Sequence, residues 1–488
     1  MAKTKTKPKP GEIPYLKKQG EAVQLIVDGK PFMILGGELG NSTASSLDIM
    51  KTVWPKLEQM NLNTVLVPVY WDLIEPTEGK FDFELLDGLL AGARKHNLRL
   101  VLLWFGSWKN SMSCYAPQWI KADQKRFPRA RLKNGQAVEI LSAFSKANLD
   151  ADIKAFATLM RHLRKEDGKK HTVIMIQVEN EIGMLGAVRD FCDLANKAFK
   201  QSPEDDEIFM ARHYARYVNQ VAAAGKAEYS LPMYVNAALN KTGQKPGEYP
   251  SAGPLLHLYD VWRAEASKID FLSPDIYHPV FEEWCAGYHK SGNPLFIPEA
   301  GRGTENIAGV FYAFGQHDAI GFSPFAIEAV SEVEKGIIVE SYDVLSQLSS
   351  LILANQGKGT MSGVSLNEEN QTQKVKLGKY VLNVSHGYTF EWTPRPAGIE
   401  TWPKVGELII STGTDEYIIA GCGLIVNFSS NSESGEIAGI ANIQEGKIIN
   451  GKWQGGKWLS GDQSHQGRHL NLSVDKFSIQ RVKLYQYR

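Results

Sequence analysis

The sequence lacks an excess of charge of either sign and any hydrophobic run long enough to cross a membrane. Its 54 Lys and Arg residues balance its 54 Asp and Glu residues, so the formal net charge is zero. Because a protein that holds nucleic acid needs basic residues to neutralise phosphates, nucleic acid is not an expected partner. No apolar run approaches the roughly 20 residues of a membrane span, so we expect no membrane partner either.

Patterns of metal-binding or disulfide-bonded residues are also missing. The four cysteines are far apart and form no C-x-x-C pair, which indicates buried thiols (Cys114, Cys192, Cys285 and Cys422). Zinc-protease and EF-hand patterns do not occur, so we expect no metal and no cofactor. The first residues, MAKTKTKPKPGEIPYL, form a Lys- and Pro-rich tail without the apolar segment of a signal peptide. The compartment is left open: periplasmic or extracellular if a signal was removed, and otherwise cytoplasmic.

Residues 21–360 alternate short apolar, β-branched runs with amphipathic helical stretches, after a tail over residues 1–20. AVQLIVDGKPFMILGG predicts a hairpin around Asp28-Gly29, and its second run begins a series of eight strands. The other seven are NTVLVPVYW, LRLVLLWFG, TVIMIQVENE, LPMYVNAA, IDFLSPDIY, PLFIPEAG and AIGFSPFAIE. This alternation predicts a (β/α)₈ TIM barrel. A doubly wound sheet is disfavoured, because no Gly-rich phosphate-binding pattern follows the first strand.

The composition changes in residues 361–488, where strand-like runs such as KYVLNVS, GELIISTG and FSIQRVKLYQYR are separated by Gly, Asn and Ser. Helical periodicity is absent, which predicts a β-sandwich accessory domain. We expect this domain to cover apolar barrel surface; binding a polysaccharide or shaping the rim of the active site is the alternative.

Two glutamates stand at the ends of barrel strands on which catalytic residues are expected. Glu181 ends the fourth strand and Glu299 the seventh, so they should face each other as the acid and the nucleophile of retaining glycoside hydrolysis. Asn180 could bond the 2-hydroxyl of a sugar, and Tyr277 could donate to Glu299. Apolar and aromatic neighbours should raise the pKa of Glu181.

Each assignment has a competitor. Glu179 shares strand parity with Glu181, and we expect it deeper in the barrel and hydrogen-bonded. Glu328 is the rival nucleophile, although a role in substrate binding is favoured. Four further strand-end residues are candidate sugar contacts, with ordinary loop roles equally open (Glu38, Tyr70, Trp108 and Asn110).

Three strings carry a resemblance to a known family. QVENEIG resembles the acid/base motif of glycoside hydrolase family 35, YWDLIEPTEGKFDF its second-strand signature, and FIPEAG its nucleophile strand. The chain resembles bacterial β-galactosidases in or near that family that carry a C-terminal domain of unassigned function. The resemblance implies Asn180-Glu181 as the acid/base pair and Glu299 as the nucleophile. It also implies a retaining exo-β-galactosidase that removes terminal β-linked galactose from oligo- or polysaccharides, with assembly into a homo-oligomer left open.

One loop departs from the family. FGSWKNSMSCYAP, after the third strand, lacks the Cys-Ala-Glu-Trp string common in that family, where contacts to O3 and O4 of the sugar are made. Another retaining β-glycosidase, such as an arabinosidase, a glucosidase or an endo-glycanase, is therefore an alternative. A non-catalytic carbohydrate-binding protein is a further alternative, which the intact carboxylates disfavour.

Overall fold

The computed structural model of the protein describes residues 13–277, 280–391, 393, 400–433 and 435–488. Residues 1–12 of the predicted tail lie outside the described residues. The strands up to residue 324 are β1 (Tyr15–Gln19), β2 (Ala22–Val27), β3 (Lys30–Phe32), β4 (Ile34–Glu38), β5 (Thr64–Tyr70), β6 (Arg99–Lys109), β7 (Arg129–Arg131), β8 (Ala137–Leu141), β9 (Val173–Asn180), β10 (Met233–Ala238), β11 (Phe271–Asp275), β12 (Phe296–Ala300) and β13 (Gly321–Pro324).

The α-helices all belong to the barrel part of the described chain. They are α1 (Leu47–Glu58), α2 (Trp71–Ile74), α3 (Glu84–Lys95), α4 (Gln118–Ala122), α5 (Lys146–Asp167), α6 (Asp193–Gln201), α7 (Asp206–Glu228), α8 (Tyr259–Glu265), α9 (Phe281–Tyr288), α10 (Thr304–His317) and α11 (Glu332–Asn355). The C-terminal strands are β14 (Met361–Leu366), β15 (Thr372–Leu377), β16 (Tyr380–His386), β17 (Val405–Gly413), β18 (Glu416–Cys422), β19 (Leu424–Ser430), β20 (Ile437–Ile449), β21 (Lys452–Trp458), β22 (Leu470–Asn471) and β23 (Ser478–Tyr487).

Eight parallel strands form the predicted barrel, in the order β11-β10-β9-β6-β5-β4-β13-β12. A parallel bridge between Ile276 and Ala300 joins β11 to β12, and Ile276 N donates to the Glu299 carbonyl at 2.9 Å. The barrel prediction is therefore confirmed. The last contact that closes the barrel also holds the backbone of the seventh strand's glutamate.

The N-terminal segment differs from the prediction of a tail. Residues 15–19 form β1, which pairs antiparallel with β2 in a three-stranded sheet that also contains β3. The reversal is made by Gly20, whose φ of 59° suits a residue without a side chain. The hairpin expected at Asp28-Gly29 is present between β2 and β3, and both of its central residues have positive φ.

Helix α11 is long and apolar enough by composition alone to cross a membrane. It packs as the last helix of the barrel, where Ile338, Leu345 and Leu348 are buried. Tyr342 Oη donates to the carbonyls of Gly36 and Phe322 on two neighbouring barrel strands, at 2.8 and 3.2 Å. The apolar face of α11 therefore packs into the core of the barrel.

The C-terminal domain is an antiparallel sandwich of a six-stranded and a four-stranded sheet. The outer face of the six-stranded sheet packs on α10, where the rings of Phe311 and Phe477 stack at 5.3 Å. The backbones are close enough that a Cβ on Gly406 would lie 1.9 Å from the Ala308 carbonyl oxygen. The expectation that this domain covers apolar barrel surface is confirmed.

Among the described residues of the sandwich, one carboxyl group, that of Glu407, is buried inside it. Glu407 has the strand parity of Val405 and Ile409, which belong to the sandwich core, whereas Leu408 and Ile410 face the barrel. Neither Glu407 oxygen has a hydrogen-bond partner among the described residues. Burial raises the pKa of this carboxyl to about 8.

Glu407 should therefore lower the stability of the protein as the pH rises. The folded state holds this proton more tightly than the unfolded state, so the free energy of unfolding falls between pH 4.5 and about pH 8. Glu407→Gln should match the unsubstituted protein near pH 5 and be increasingly more stable toward pH 8. Denaturant unfolding at a series of pH values measures this, with the exposed Glu369→Gln as control. Equal pH dependence in the protein and its Glu407→Gln variant would contradict it.

Candidate active site

Three carboxyl groups converge at the mouth of the barrel. Glu181 follows β9, Asp275 ends β11 and Glu299 lies in β12, and their side chains are all at least nine-tenths buried. One oxygen of each lies within 4.8 Å of the corresponding oxygens of the other two. An approach this close between single oxygens suits the roughly 5–5.5 Å that separates the carboxyl groups of retaining glycosidases.

The backbone around Glu181 is held in an uncommon conformation. Glu179 and Glu181 have φ values of 63° and 45°, which cost non-glycine residues of order 1–3 kcal/mol each. Glu181 N donates to Asn236 Oδ1 at 3.0 Å, and the Glu181 carbonyl accepts from the Ser111 amide at 3.1 Å. These two bonds, from the strands on either side, fix the direction in which the Glu181 side chain leaves the strand.

Glu299 is aimed by an irregularity of its own strand. The pairing of β12 with β13 shifts register between Ile297 and Ala300, which bends the strand where Glu299 stands. Tyr277 Oη donates to Glu299 Oε1, so the hydrogen bond expected from the sequence is present. The tyrosine side chain is 44% exposed and lies at the rim of the site.

The two glutamates differ in how readily they ionise. Burial and the charge of Glu299 raise the pKa of Glu181 to about 7, against the opposing effect of Lys109. Burial also raises the pKa of Glu299, but Lys109 and the Tyr277 hydrogen bond lower it. These effects favour the ionised form of Glu299 and the protonated form of Glu181. The upward shift expected for Glu181 is present, and its main causes are burial and the neighbouring carboxylate.

The other two carboxyl groups of the cluster, those of Glu38 and Asp275, have pKa values shifted toward the neutral form. Burial, and then the Glu299 charge, raise the pKa values of Glu38 and Asp275 well above the usual range. Asn236 Nδ2 donates to Asp275 Oδ2 at 2.7 Å, so one amide holds both Asp275 and the backbone of Glu181. The oxygens of Glu38 have no hydrogen-bond partner among the described residues. A neutral carboxylic acid in this position could both donate to and accept from a sugar hydroxyl.

The close spacing of three carboxylate oxygens is also one that a divalent cation could use. Protons shared within the cluster relieve the same repulsion, because burial and the charge of Glu299 raise the pKa of Asp275 well above its usual range. We therefore interpret the cluster as proton-sharing acids and identify none of the three as a metal ligand.

Asn110 contacts the candidate acid directly. Its Nδ2 donates to Glu181 Oε2, and its Oδ1 accepts from Lys109 Nζ at 2.5 Å. Asn180 is fully buried next to Glu181, and neither polar atom of its amide has a partner in the described part of the chain. Contacts of these two amides with a sugar remain predictions.

Trp108 is not brought together with the carboxylates, which corrects its assignment as a sugar contact. Its fully buried ring packs edge-on against Tyr214 and Tyr217 of α7, at centroid distances of 5.2 and 4.6 Å. Strand β6 continues through residue 109, so the ring falls on the face that packs against the helices.

Glu179 also turns outward, although it was expected deeper in the barrel. Its Oε2 accepts from Trp108 N at 2.7 Å, and burial together with the charge of Asp152 on α5 raises its pKa well above the usual range. The positive φ values of Glu179 and Glu181 break the alternation that the parity argument assumed.

Tyr70 and Glu328 lie in a neighbouring group of residues. Tyr70 packs against Phe105 and Tyr115, with ring centroids 6.0 and 5.3 Å away. Glu328 accepts from Gly40 N at 3.1 Å and from the Thr43 hydroxyl, so its carboxylate holds the loop after the first barrel strand. These bonds disfavour Glu328 as the nucleophile.

Sequence reasoning missed three residues of the site: Asp275, Asn236 and Lys109. Each is a polar residue at or near the end of a barrel strand, which is the only signal that could have found them. Their roles depend on contacts between strands that are far apart in the sequence.

Comparisons with known proteins point to glycosidases. Residues 44–223 match a family model described as β-galactosidase, glycoside hydrolase family 42, and residues 338–471 match a domain of unknown function (DUF5597). A β-galactosidase of Xanthomonas manihotis is 26% identical over 306 residues, which are 59% of this chain and 42% of that protein. The chain therefore spans less than half the length of this relative.

Among the solved structures that resemble this chain is a cold-adapted β-galactosidase from Rahnella sp. R3. It has a TM-score of 0.50 and 16% sequence identity, and the match covers 66% of this chain and 57% of that one. A β-1,4-D-mannanase from Cryptopygus antarcticus has a TM-score of 0.43 and 15% identity, over 67% of this chain and 94% of that one. The Rahnella enzyme supports the barrel fold. In sequence, the barrel domain is similar to the β-galactosidases of glycoside hydrolase family 42, and the sandwich to a domain of unknown function.

Proposed function

We propose that the protein is a retaining exo-β-galactosidase that removes terminal β-linked galactose from oligo- or polysaccharides. The observation that carries this proposal is the pair formed by Glu181 and Glu299, with carboxylate oxygens within 4.8 Å of each other at the mouth of the barrel. Burial and the charge of Glu299 raise the pKa of Glu181, whereas Lys109 and the Tyr277 hydrogen bond lower that of Glu299. Retaining hydrolysis requires one protonated and one ionised carboxyl at this separation.

In the first step, the ionised Glu299 attacks the anomeric carbon while Glu181 gives its proton to the leaving oxygen. A bond between Glu299 and the sugar forms as the glycosidic bond breaks, and the leaving group departs as an alcohol. The hydrogen bond from Tyr277 holds Glu299 Oε1 in place, so that the other oxygen, which has no partner among the described residues, is the one available for attack.

In the second step, Glu181 acts as a base. It takes a proton from water, and the resulting hydroxide attacks the anomeric carbon and releases Glu299. Glu181 now has a charge beside a neutral ester instead of beside an ionised Glu299. Because the Glu299 charge is one cause of its raised pKa, formation of the intermediate makes Glu181 a stronger acid, suited to the ionised state that the base requires.

Galactose as the sugar is supported by the β-galactosidase family model and by the resemblance to family 35 motifs. Neutral Glu38 and the amides of Asn110 and Asn180 are candidate partners for its hydroxyl groups. Another retaining β-glycosidase, acting on arabinose, glucose or an internal linkage, is the alternative. Nitrophenyl glycosides and a polysaccharide distinguish these specificities. A glycan is the proposed partner, with no metal or cofactor required.

The first product should have the β configuration. Two successive displacements at the anomeric carbon restore its stereochemistry, so proton NMR of nitrophenyl β-galactoside hydrolysis should show β-galactose before it mutarotates. A metal chelator should leave the rate of this hydrolysis unchanged. An initial product that is mainly α-galactose would show inversion and rule out Glu299 as a nucleophile.

Azide should distinguish the two roles. With an activated dinitrophenyl galactoside, Glu181→Ala should retain the first step, because this leaving group needs no proton, and azide should produce the β-galactosyl azide. Glu299→Ala should lose several orders of magnitude in kcat and give the α-azide, because azide enters where the nucleophile stood. Glu328→Gln is the control and should show no azide rescue. A β-azide from Glu299→Ala would reverse the assignments.

A further inference from the structure

Lys109 is a buried lysine at the end of β6, with a side chain on the same side as the carboxyl cluster. It is 4% exposed, and its ammonium lies 5.2 Å from the centre of the Phe105 ring. Backbone bonds with Met112, at 2.8 and 2.9 Å, and pairing with Asn180 hold its main chain. The ammonium is therefore presented from a fixed position.

The contacts of Lys109 determine the orientation of Asn110. A lysine ammonium only donates hydrogen bonds, so the atom of Asn110 that faces it must be the amide oxygen. The amide nitrogen is then left for Glu181 Oε2, which must accept. A proton carried by Glu181 is thereby directed to its other oxygen, Oε1.

The charge of Lys109 acts on three acids at once. It lowers the pKa values of Glu38, Glu181 and Glu299, each of which burial raises. Lys109 thus orients Glu181 through the amide of Asn110. Its positive charge also favours the ionised forms of Glu38 and Glu299.

From these contacts, we propose that Lys109 is a positioning residue that fixes the proton-bearing oxygen of Glu181 through Asn110 and presents a buried positive charge on the side of the carboxyl cluster. This inference rests on the proposed retaining mechanism. Lys109 does not need to touch the substrate, because its effects reach the reaction through Asn110 and through its charge.

The charge of Lys109 lowers the pKa values of acids from several parts of the barrel. These acids are Glu38 from β4, Glu181 after β9, Glu299 in β12 and Cys114 in the loop after β6. The cluster continues to Asp275 and Tyr277 at the end of β11 through the charge of Glu299, and to Glu328 after β13 through Glu38. All but Lys109 are acids, so its removal should shift titrations of the cluster in one direction only.

The test compares Lys109→Met, Lys109→Arg and Asn110→Ala by the pH dependence of kcat and kcat/KM on nitrophenyl galactoside. Methionine keeps the apolar stem of the side chain but removes its charge. The acidic and basic limbs of the bell-shaped pH profile should therefore both move to higher pH by roughly 1 to 3 units, as expected for loss of a nearby opposite charge. At a pH below the shifted acid limb, kcat/KM should fall more than tenfold. Arginine should keep both limbs near their original positions.

Asn110→Ala should separate the two parts of the role. It removes the oriented amide but leaves the Lys109 charge, so the limbs should stay in place. The loss in kcat should be larger for a poor leaving group than for dinitrophenol, because the poor leaving group requires a proton from Glu181. Lys226→Met is the matched control: this partly buried lysine bonds Asp270 at 2.6 Å, before the start of β11 and far from the barrel mouth. It should leave the pH profile unchanged.

Stability provides a readout that needs no activity. Removing the Lys109 charge should raise the acid pKa values further, so the stability difference between Lys109→Met and the unsubstituted protein should become more unfavourable from pH 6 to pH 8. For Lys226→Met that difference should not change over this range. The inference would be overturned if an active Lys109→Met enzyme kept both limbs of its pH profile at their original positions. It would also be overturned if the difference in stability between Lys109→Met and the unsubstituted protein did not depend on pH. An unsubstituted protein that cleaves no β-glycoside would instead refute the proposed function, and the stability comparison would still decide on Lys109.

Discussion

The mouth of the barrel is built around carboxyl groups that cannot all be ionised. Glu181, Asp275 and Glu299 bring oxygens within 4.8 Å of one another in a buried position, and Glu38 is near enough to feel their charge. Burial and mutual repulsion favour a few charges and several protons. In the proposed mechanism, the roles of acid and nucleophile follow from which groups keep their protons. Lys109 and the Tyr277 hydrogen bond both lower the pKa of Glu299.

The fold places these groups by backbone contacts that close the barrel. The bond from Ile276 N to the Glu299 carbonyl joins the first and last strands of the sheet order, and Asn236 links Glu181 to Asp275 across the intervening strand. Left-handed backbone at Glu179 and Glu181 has a cost that these contacts must offset. Packing of the sandwich on α10, the helix that follows Glu299's strand, extends the support to the C-terminal domain.

Much of this arrangement could be predicted from the sequence, because both features that define it are local. Apolar runs alternating with amphipathic helices specified the barrel, and polar strand ends identified Glu181, Glu299 and Tyr277. Trp108 and Glu179 were misplaced because a strand longer than its apolar run and two positive φ values decide which face they occupy. Lys109 and Asn236 could not be assigned, since the acids on which they act come from other strands.

The most direct measurement is covalent trapping with a 2-deoxy-2-fluoro-β-galactoside that has an activated leaving group. The fluorine slows both steps by destabilising the oxocarbenium-like transition state, and the good leaving group restores the first, so the glycosyl-enzyme should accumulate. Mass spectrometry of the digested protein should then find one added sugar, on Glu299 in the peptide that contains FIPEAG. A label on Glu181, Asp275 or Glu38 would contradict the account.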